Sequence, residues 1–489
     1  MKKLLSTAHL RQMTLFDELL TREWVTLHEL HQKLNYPTRT IYSDIQEMND
    51  YAKPIVIKSS TAGFKLTIPN HYSPRYYFRQ LIQKSREFSL IELAFFEKEK
   101  NLEDLSERLF ISLSTTKRLI KKVNQSLKER HFQISLSPFS LVGDEEQILG
   151  FMYYYFSEKY YLPNEIFNHE QMLLLDQLTT SLATEVDKEL NFASTKRINY
   201  SVYVHLNRIQ RGHHSPVNNP LAANHWEILE NIQFCDQFLT LFQIKLSTSI
   251  LNQLYSIWFK PEYAYNFEHM LHLIAKQPQL KHNYRLIQHL IDDFTTKFDL
   301  ESSDNSSLIV DLFNLFHRVK QQPFMLYDKR KYFLRTLQTG GNNLFLLGLI
   351  KAALLAILPD QWQEFEMNEL LYIIVTHWPE LVSKVEHALP KVSLYLLLDT
   401  DQEHSRYLKK EIESYSRVMS DVTIIQDYSQ YLSENSIQEN GILLTNIPGL
   451  TSQKMEMICF NELLSTADWE QLDKLQRKQQ LLLLQDIRI

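Results

Sequence analysis

Two short stretches carry the side chains best suited to chemistry on a polyanion. Thr38, Arg39, Tyr42 and Ser43 share one face of a helical pattern, as do Ser114, Thr115, Lys117, Arg118, Lys121 and Lys122 further on. Short polar side chains near a helix N-terminus can approach base edges in the B-DNA major groove, while Lys and Arg farther along neutralise phosphates. Histidine pairs offer another chemistry. His28-x-x-His31, His213-His214 and His269-x-x-His272 could each bring two imidazoles together. None has a clear third ligand nearby or a zinc-enzyme signature, so neither metal nor cofactor is expected. Cys235 and Cys459 are too few for a disulfide framework or a cysteine-based zinc site. Walker, Rossmann, zincin and nucleophile-elbow signatures are absent, and an enzyme is not expected.

Both polar faces lie in an internal repeat. A shift of 75 positions lays Leu15–Leu66 onto Leu90–Leu141 without a gap, with Leu27/Leu102, Leu30/Leu105, Thr40/Thr115 and Phe64/Phe139 among the identical pairs. A fixed offset implies the same supersecondary unit twice. In each copy a helix ends near Thr21 or Phe96. A second helix begins after Thr26 or Asn101, whose side-chain oxygen can accept from the open amides of the first turn. Its apolar residues, Leu27, Leu30 and Leu34 or Leu102, Leu105 and Leu109, face one core. A tight turn, Asn35-Tyr36-Pro37 or Phe110-Ile111-Ser112, leads to a third helix, buried through Ile41, Ile45 and Met48 or Ile120, Val123 and Leu127. A short hairpin follows: Pro54–Lys58 with Gly63–Ile68, then Phe132–Leu136 with Phe139–Val142. Three helices and a hairpin describe a winged helix-turn-helix, and the polar faces are those of its third helix.

Charge is divided to match. The chain of 489 residues has a net charge of −6, but residues 1–142 hold 22 Lys and Arg against 15 Asp and Glu. A basic head on an acidic body is the electrostatic arrangement of a protein whose head meets nucleic acid. With 9 Gly beside 27 Phe and 25 Tyr, the chain should be mostly helical with large cores. Leu344–Leu358 is broken by Lys351 and too short to span a bilayer. No secretory signal follows Met1-Lys2-Lys3, and a cytoplasmic location without membrane contact is expected.

From Asp144 to about Leu389 the pattern is helical, with breaks at Gly212–Pro220 and Glu301–Ser307. After Pro390, Lys391–Leu398 is an apolar run suited to a strand covered on both sheet faces. A helix over about 402–418, strands near Val422–Gln426 and Gly441–Thr445, and a terminal helix predict a small parallel α/β domain. The apolar tail Leu481–Leu484 is expected in its core, with a dimer seam as the alternative.

Ile111–Asn124 together with Phe139–Glu145 resembles the second winged domain and wing of the Mga-type transcriptional regulators, a family of global and virulence regulators. These contain PRDs, regulation domains addressed by the phosphoenolpyruvate sugar phosphotransferase system. The resemblance runs through nearly the whole chain. It implies a mainly α protein with tandem winged helix-turn-helix domains at 1–70 and 71–145, PRD-like helical bundles at 146–300 and 301–389, and a phosphotransferase IIB-like α/β domain at 390–489. Its implied partners are double-stranded promoter DNA, phosphotransferase-system phosphocarrier proteins and a second copy through the C-terminal domain. Histidine phosphorylation would add about −1.5 to −2 charge and bias a two-state interface. The family patterns fall on His205, followed by Arg211, and on Glu262, Tyr265 and His269. In the second bundle they fall on His317, which lacks the following Arg, and on His377, one residue late after Glu369 and Tyr372. His205 and His269 are therefore the expected acceptors. The IIB-like domain has Asp399-Thr400-Asp401 where the family's phosphate-carrying Cys would stand. The two competing functions are a phosphocarrier enzyme component, set back by that missing Cys, and an RNA-binding antiterminator, whose small strand-based RNA module does not match a helical head.

Overall fold

The computed structural model describes residues 1–98, 101–185, 189–215, 226–256, 258, 263–300, 304–318, 324–339, 343–358, 362, 364–416, 418–426, 441–450 and 455–486. The chain is mainly α, with two small hairpins near its start and a parallel sheet near its end. It divides into two compact units, Met1–Tyr265 with Gln321–Asp328, and Asn266–Lys320 with Lys329–Ile489.

The first unit opens with the repeat. Copy one is α1 (Thr7–Leu19), α2 (Leu27–Leu34), α3 (Thr38–Tyr51), β1 (Val56–Ser60) and β2 (Gly63–Thr67). After α4 (Pro74–Lys84), copy two is α5 (Arg86–Phe96), α6 (Leu102–Arg108), α7 (Leu113–Lys128), β3 (Phe132–Leu136) and β4 (Phe139–Gly143). The expected caps are present. Thr26 Oγ1 accepts from the amide of Glu29, whose carboxylate accepts in return from the Thr26 amide, and Asn101 caps α6 through Asp104 N–H. Phe16, Leu30, Ile41 and Met48 close the first core, and Leu90, Leu105, Val123 and Leu141 the second. Gly63 has φ 118°, and a Cβ there would stand 2.3 Å from the Val25 carbonyl oxygen, so only glycine lets Val25 bridge to Phe64 and seat the wing. α4 joins the modules: Tyr77 stacks on Phe16 at 3.9 Å between ring centroids, and its hydroxyl meets that of Tyr51 at 3.1 Å.

A helical bundle completes the unit: α8 (Glu145–Lys159), α9 (His169–Glu185), α10 (Phe192–Ile209), α11 (Ile232–Phe242) and α12 (Thr248–Leu254). Leu178, Val202, Phe238, Leu251 and Tyr255 form its centre. Phe324–Asp328 also belongs here. Phe324 packs edge-on against Phe151, and Glu158 on α8 accepts from the amides of Leu326 and Tyr327 at 2.9 and 3.1 Å. Burial pushes the Glu158 carboxyl up to about 7 despite those amides.

The second unit contains α13 (Phe267–Lys276), α14 (Lys281–Lys297), α15 (Ser306–Arg318), α16 (Lys329–Thr339), α17 (Asn343–Ile357), α18 (Glu364–His377) and α19 (Pro379–Ala388). α14 packs on α15 and α17, so this bundle draws on residues on both sides of position 300. The C-terminal sheet contains β5 (Val392–Leu397), β6 (Ser420–Ile424), β7 (Ile442–Thr445) and β8 (Glu456–Cys459), all parallel in the order β6-β5-β7-β8. The helices α20 (Gln402–Tyr415) and α21 (Thr466–Asp486) belong to the same region. The tail departs from the core expectation. α21 turns Leu472, Gln476, Gln479 and Gln480 inward, which leaves Leu481 and Leu482 off that face and 44% and 40% exposed. The side chain of Leu484 lies outside the described residues.

Candidate nucleic-acid interface

The third helix of each module is held against its wing by one asparagine. Asn49 donates to the Ile57 carbonyl at 3.0 Å and accepts from its amide at 2.7 Å. Asn124 does the same with Ile134, at 2.9 and 2.8 Å. A side-chain amide matches the donor and acceptor of one strand residue, so each helix and hairpin are tied in a fixed orientation. The two asparagines lie 75 residues apart, the offset of the repeat, which is the signal that could have singled them out. In the second module Ser106 and Thr116, bonded hydroxyl to hydroxyl at 2.9 Å, also fix α6 against α7.

Thr38, Arg39, Tyr42 and Ser43 are all exposed on α3, and Arg39 makes no ion pair among the described residues. The Tyr42 ring sits 5.5 Å from that of Phe64 and stands beside the wing. α3 as a whole is nevertheless net acidic, since it sets Arg39 against Asp44, Glu47 and Asp50. Asp44 is taken by Arg11 in a two-point bond, 2.8 Å at one oxygen. α7 carries Lys117, Arg118, Lys121, Lys122 and Lys128 with no acid. Ser112 caps it by accepting from the Thr115 amide at 3.3 Å, which places Ser114 and Thr115 in its first turn. Ser114, Lys117, Arg118 and Lys121 are exposed and Thr115 is half-buried.

Lys122 is exposed along its side chain, but its ammonium is engaged within the module. Its ammonium donates to buried Glu87 at 2.7 Å and to the Leu5 carbonyl at 3.2 Å, and the pair holds the Glu87 carboxyl below its usual range against burial. Gln12 and Glu47 stand at the same two positions of copy one and bond at 2.7 Å. The position is a tie between the first and third helices in both modules. Of the four α7 cations expected to meet DNA, Lys117, Arg118 and Lys121 are the ones not tied to a neighbouring helix.

The four candidate histidines sit in unlike surroundings. His205 on α10 is buried, with Nδ1 2.8 Å from the Ser201 carbonyl and Nε2 3.3 Å from the Ser256 hydroxyl. Burial lowers its pKa and so favours the neutral ring. Both nitrogens are engaged and no face is open to a donor protein. His269 is half-buried at the start of α13, and its pKa is also lowered, first by burial and then by His272 and Lys276. Glu262 of the same pattern lies outside the described residues. His317 lies on α15, and its side chain is not among those described. His377, at the end of α18, is exposed and holds Asp311 through Nδ1 at 2.7 Å. A carboxylate can only accept, so Nδ1 carries the hydrogen, and in the neutral ring Nε2 has the lone pair. Of the remaining pairs, His31 bonds the Tyr36 carbonyl and His213 bonds Glu97.

One residue that the sequence patterns passed over joins the second wing to the helical bundle. Arg208 on α10 is 2% exposed and makes a two-point bond to Glu145 at 2.7 and 2.6 Å, with Glu97 and the Leu141 carbonyl each at 3.3 Å. It lies one turn beyond His205, three residues before the Arg that the pattern weighed.

A recognition-type helix clamped to a hairpin wing, present twice, with an outward basic face on the second copy, defines a tandem winged helix-turn-helix protein. Residues 70–156 match the Mga helix-turn-helix domain, which spans α4 to α8 and includes the whole second module. The chain therefore carries an Mga helix-turn-helix domain, and its resemblance to the Mga-type regulators holds. It is similar to a protein assigned as a trans-acting regulator in Streptococcus pneumoniae serotype 4, 25% identical over 477 residues that make up 93% of this chain and 95% of the relative. It is also similar to two capsule synthesis positive regulators of Bacillus anthracis. AcpA is 29% identical over 42% of this chain and 43% of its own length, and AcpB is 24% identical over 42% and 44%. No described helix is long and apolar enough to cross a membrane.

Proposed function

We propose that this chain is a DNA-binding transcriptional regulator of the Mga type rather than a catalyst, controlled through histidine phosphorylation from the sugar phosphotransferase system. The observation that carries the DNA reading is the α7 face: Ser114 and Thr115 at the groove-entering end, then Lys117, Arg118 and Lys121 toward phosphate, on a helix that Asn124 locks to its wing. Thr38, Arg39, Tyr42 and Ser43 supply a weaker second contact. The regulators named among its relatives support the same class.

The divisions at 70, 145 and 389, the homodimer through the C-terminal domain and the cytoplasmic location belong to this reading, with the boundary between the two bundles moved from 300 to before α13, since α14 packs on α15 and α17. So does the phosphocarrier partner. Among the four histidines the geometry favours His377. The residue is exposed, its Nε2 makes no hydrogen bond among the described residues, and Asp311 can hold the Nδ1 proton while Nε2 attacks the phosphorus of a phosphohistidine donor. His205 fits a packing role better. His269 and His317 remain candidates.

Binding of the full chain to promoter duplexes, measured across salt concentrations, tests the DNA reading. Changing Lys117, Arg118 and Lys121 together to Ala should lower the slope of log K against log[salt] by roughly 2.7, at ~0.9 per phosphate contact released. Lys122→Ala should leave the slope unchanged. An unaltered slope in the triple variant removes the phosphate role.

A further inference from the structure

The turn before α7 contains a residue the fold does not use. Phe110 has φ 54°, in the left-handed region, and its side chain is 91% exposed. A bulky side chain is disfavoured at such a φ, and an exposed aromatic ring gains nothing from packing. The repeat supplies its own control. The equivalent residue of copy one is Asn35, with φ 55°, and Asn is among the residues that tolerate this conformation. The second module thus has Phe where the same turn is built without strain from Asn. Three residues on, Leu113 in the first turn of α7 is 42% exposed.

We propose that Phe110, with Leu113 beside it, covers thymine methyl groups at the edge of the major groove when α7 enters it. This rests on the DNA-binding reading and adds a sequence preference to it. The surroundings select the occupant. Ser112, Ser114, Lys117, Arg118 and Lys121 are polar or cationic and exposed, so the two apolar side chains sit within a surface complementary to a polyanion. A stable protein partner needs a patch of about 800 Å² on each side, far more than these two side chains form. In the major groove of duplex DNA the apolar group that the bases offer is the thymine C5 methyl.

The experiment uses the full chain and a duplex that it selects from a randomised pool. Each thymine of that duplex is replaced in turn by deoxyuridine, which lacks only the methyl. The unaltered protein should lose about four-fold in affinity for each covered methyl, the weight of one such group moved out of water. Phe110→Asn, which keeps the turn, should lose a similar factor on the thymine duplex and show no further loss at the same positions. If Phe110→Asn binds as tightly as the unaltered chain, or keeps the full deoxyuridine sensitivity, the proposal is overturned while the phosphate contacts of α7 stand. It is also overturned, in favour of a protein partner, if DNA binding is unchanged but transcription with purified RNA polymerase is lost. If the unaltered chain selects no duplex at all, this proposal and the DNA-binding reading fall together.

Discussion

Replacing Arg208 with Ala is expected to loosen the seam between the second wing and the helical bundle that follows it. The guanidinium is 2% exposed and pairs with Glu145 and Glu97, whose side chains are 14% and 22% exposed. Removing one partner of a buried ion pair costs about 3–5 kcal/mol, because the other charge stays behind in a poor solvent. Some water reaches both carboxylates, and His213 lies 2.7 Å from Glu97, so the lower end applies. A loss of about 3 kcal/mol corresponds to roughly a 150-fold larger opening constant. Amide hydrogen exchange followed by mass spectrometry reads this locally. Peptides from β4, the start of α8 and α10 should lose protection, while those from α2 and α3 should not. Arg208→Lys should fall in between, since an ammonium keeps the charge but cannot make the two-point bond to Glu145. The reasoning is refuted if Arg208→Ala exchanges like the unaltered chain, or if Lys restores protection in full.

Glu158 makes unit one sensitive to pH. Its carboxyl titrates at about 7 in the fold, above the ordinary 4.5, so the stability tied to its neutral form is complete below about pH 4.5 and is lost as pH rises through about 7. Protection in Phe324–Asp328, taken relative to the intrinsic base-catalysed exchange rate, should fall between about pH 6 and 8; if Glu158→Gln shows the same fall, another group is responsible. For control by phosphate, labelled phosphocarrier protein should lose most of its transfer to the chain in His377→Ala, and transfer should slow in Asp311→Asn. Full labelling of His377→Ala together with loss in His205→Ala would reverse the order assigned to these histidines.

The repeat was legible because each of its parts has a local cause. Caps at Thr26 and Asn101, apolar residues at helical spacing and short alternating hairpins all sit at one offset, and the modules formed as those signals implied. The first strand of the C-terminal sheet was legible for the same reason, whereas Glu456–Cys459 was not, being four residues long with Glu at its head. The tie that Lys122 makes has a geometric origin. A charge pattern along one helix separates inward from outward faces but does not show that a neighbouring helix offers a buried acid, here Glu87. Histidine surroundings were the least legible. Spacing placed His205 in an attractive motif, yet the packing of α10 against α12 and α8 closed it off, while His377, one residue out of register, emerged beside Asp311.

The clamps also constrain how a signal can reach DNA. Asn124 holds α7 to β3 through both polar atoms of Ile134, and Ser106 holds α6 to α7, so bending the recognition helix within its module would break several bonds at once, one of them buried. A regulatory event should instead move the second module as a body. Arg208 is placed for that, because a single side chain touches the wing at Leu141, the start of α8 at Glu145 and the end of α5 at Glu97. Chain connectivity supplies a second route. Phe324–Asp328 is packed in the first unit, yet it joins α15, which carries Asp311, to α16. A charge added at His377 would meet Asp311 on the helix that leads into that segment. Phosphate at His377 should therefore change exchange in Phe324–Asp328 before it changes exchange in α7, and the opposite order would mean that the signal travels by neither route.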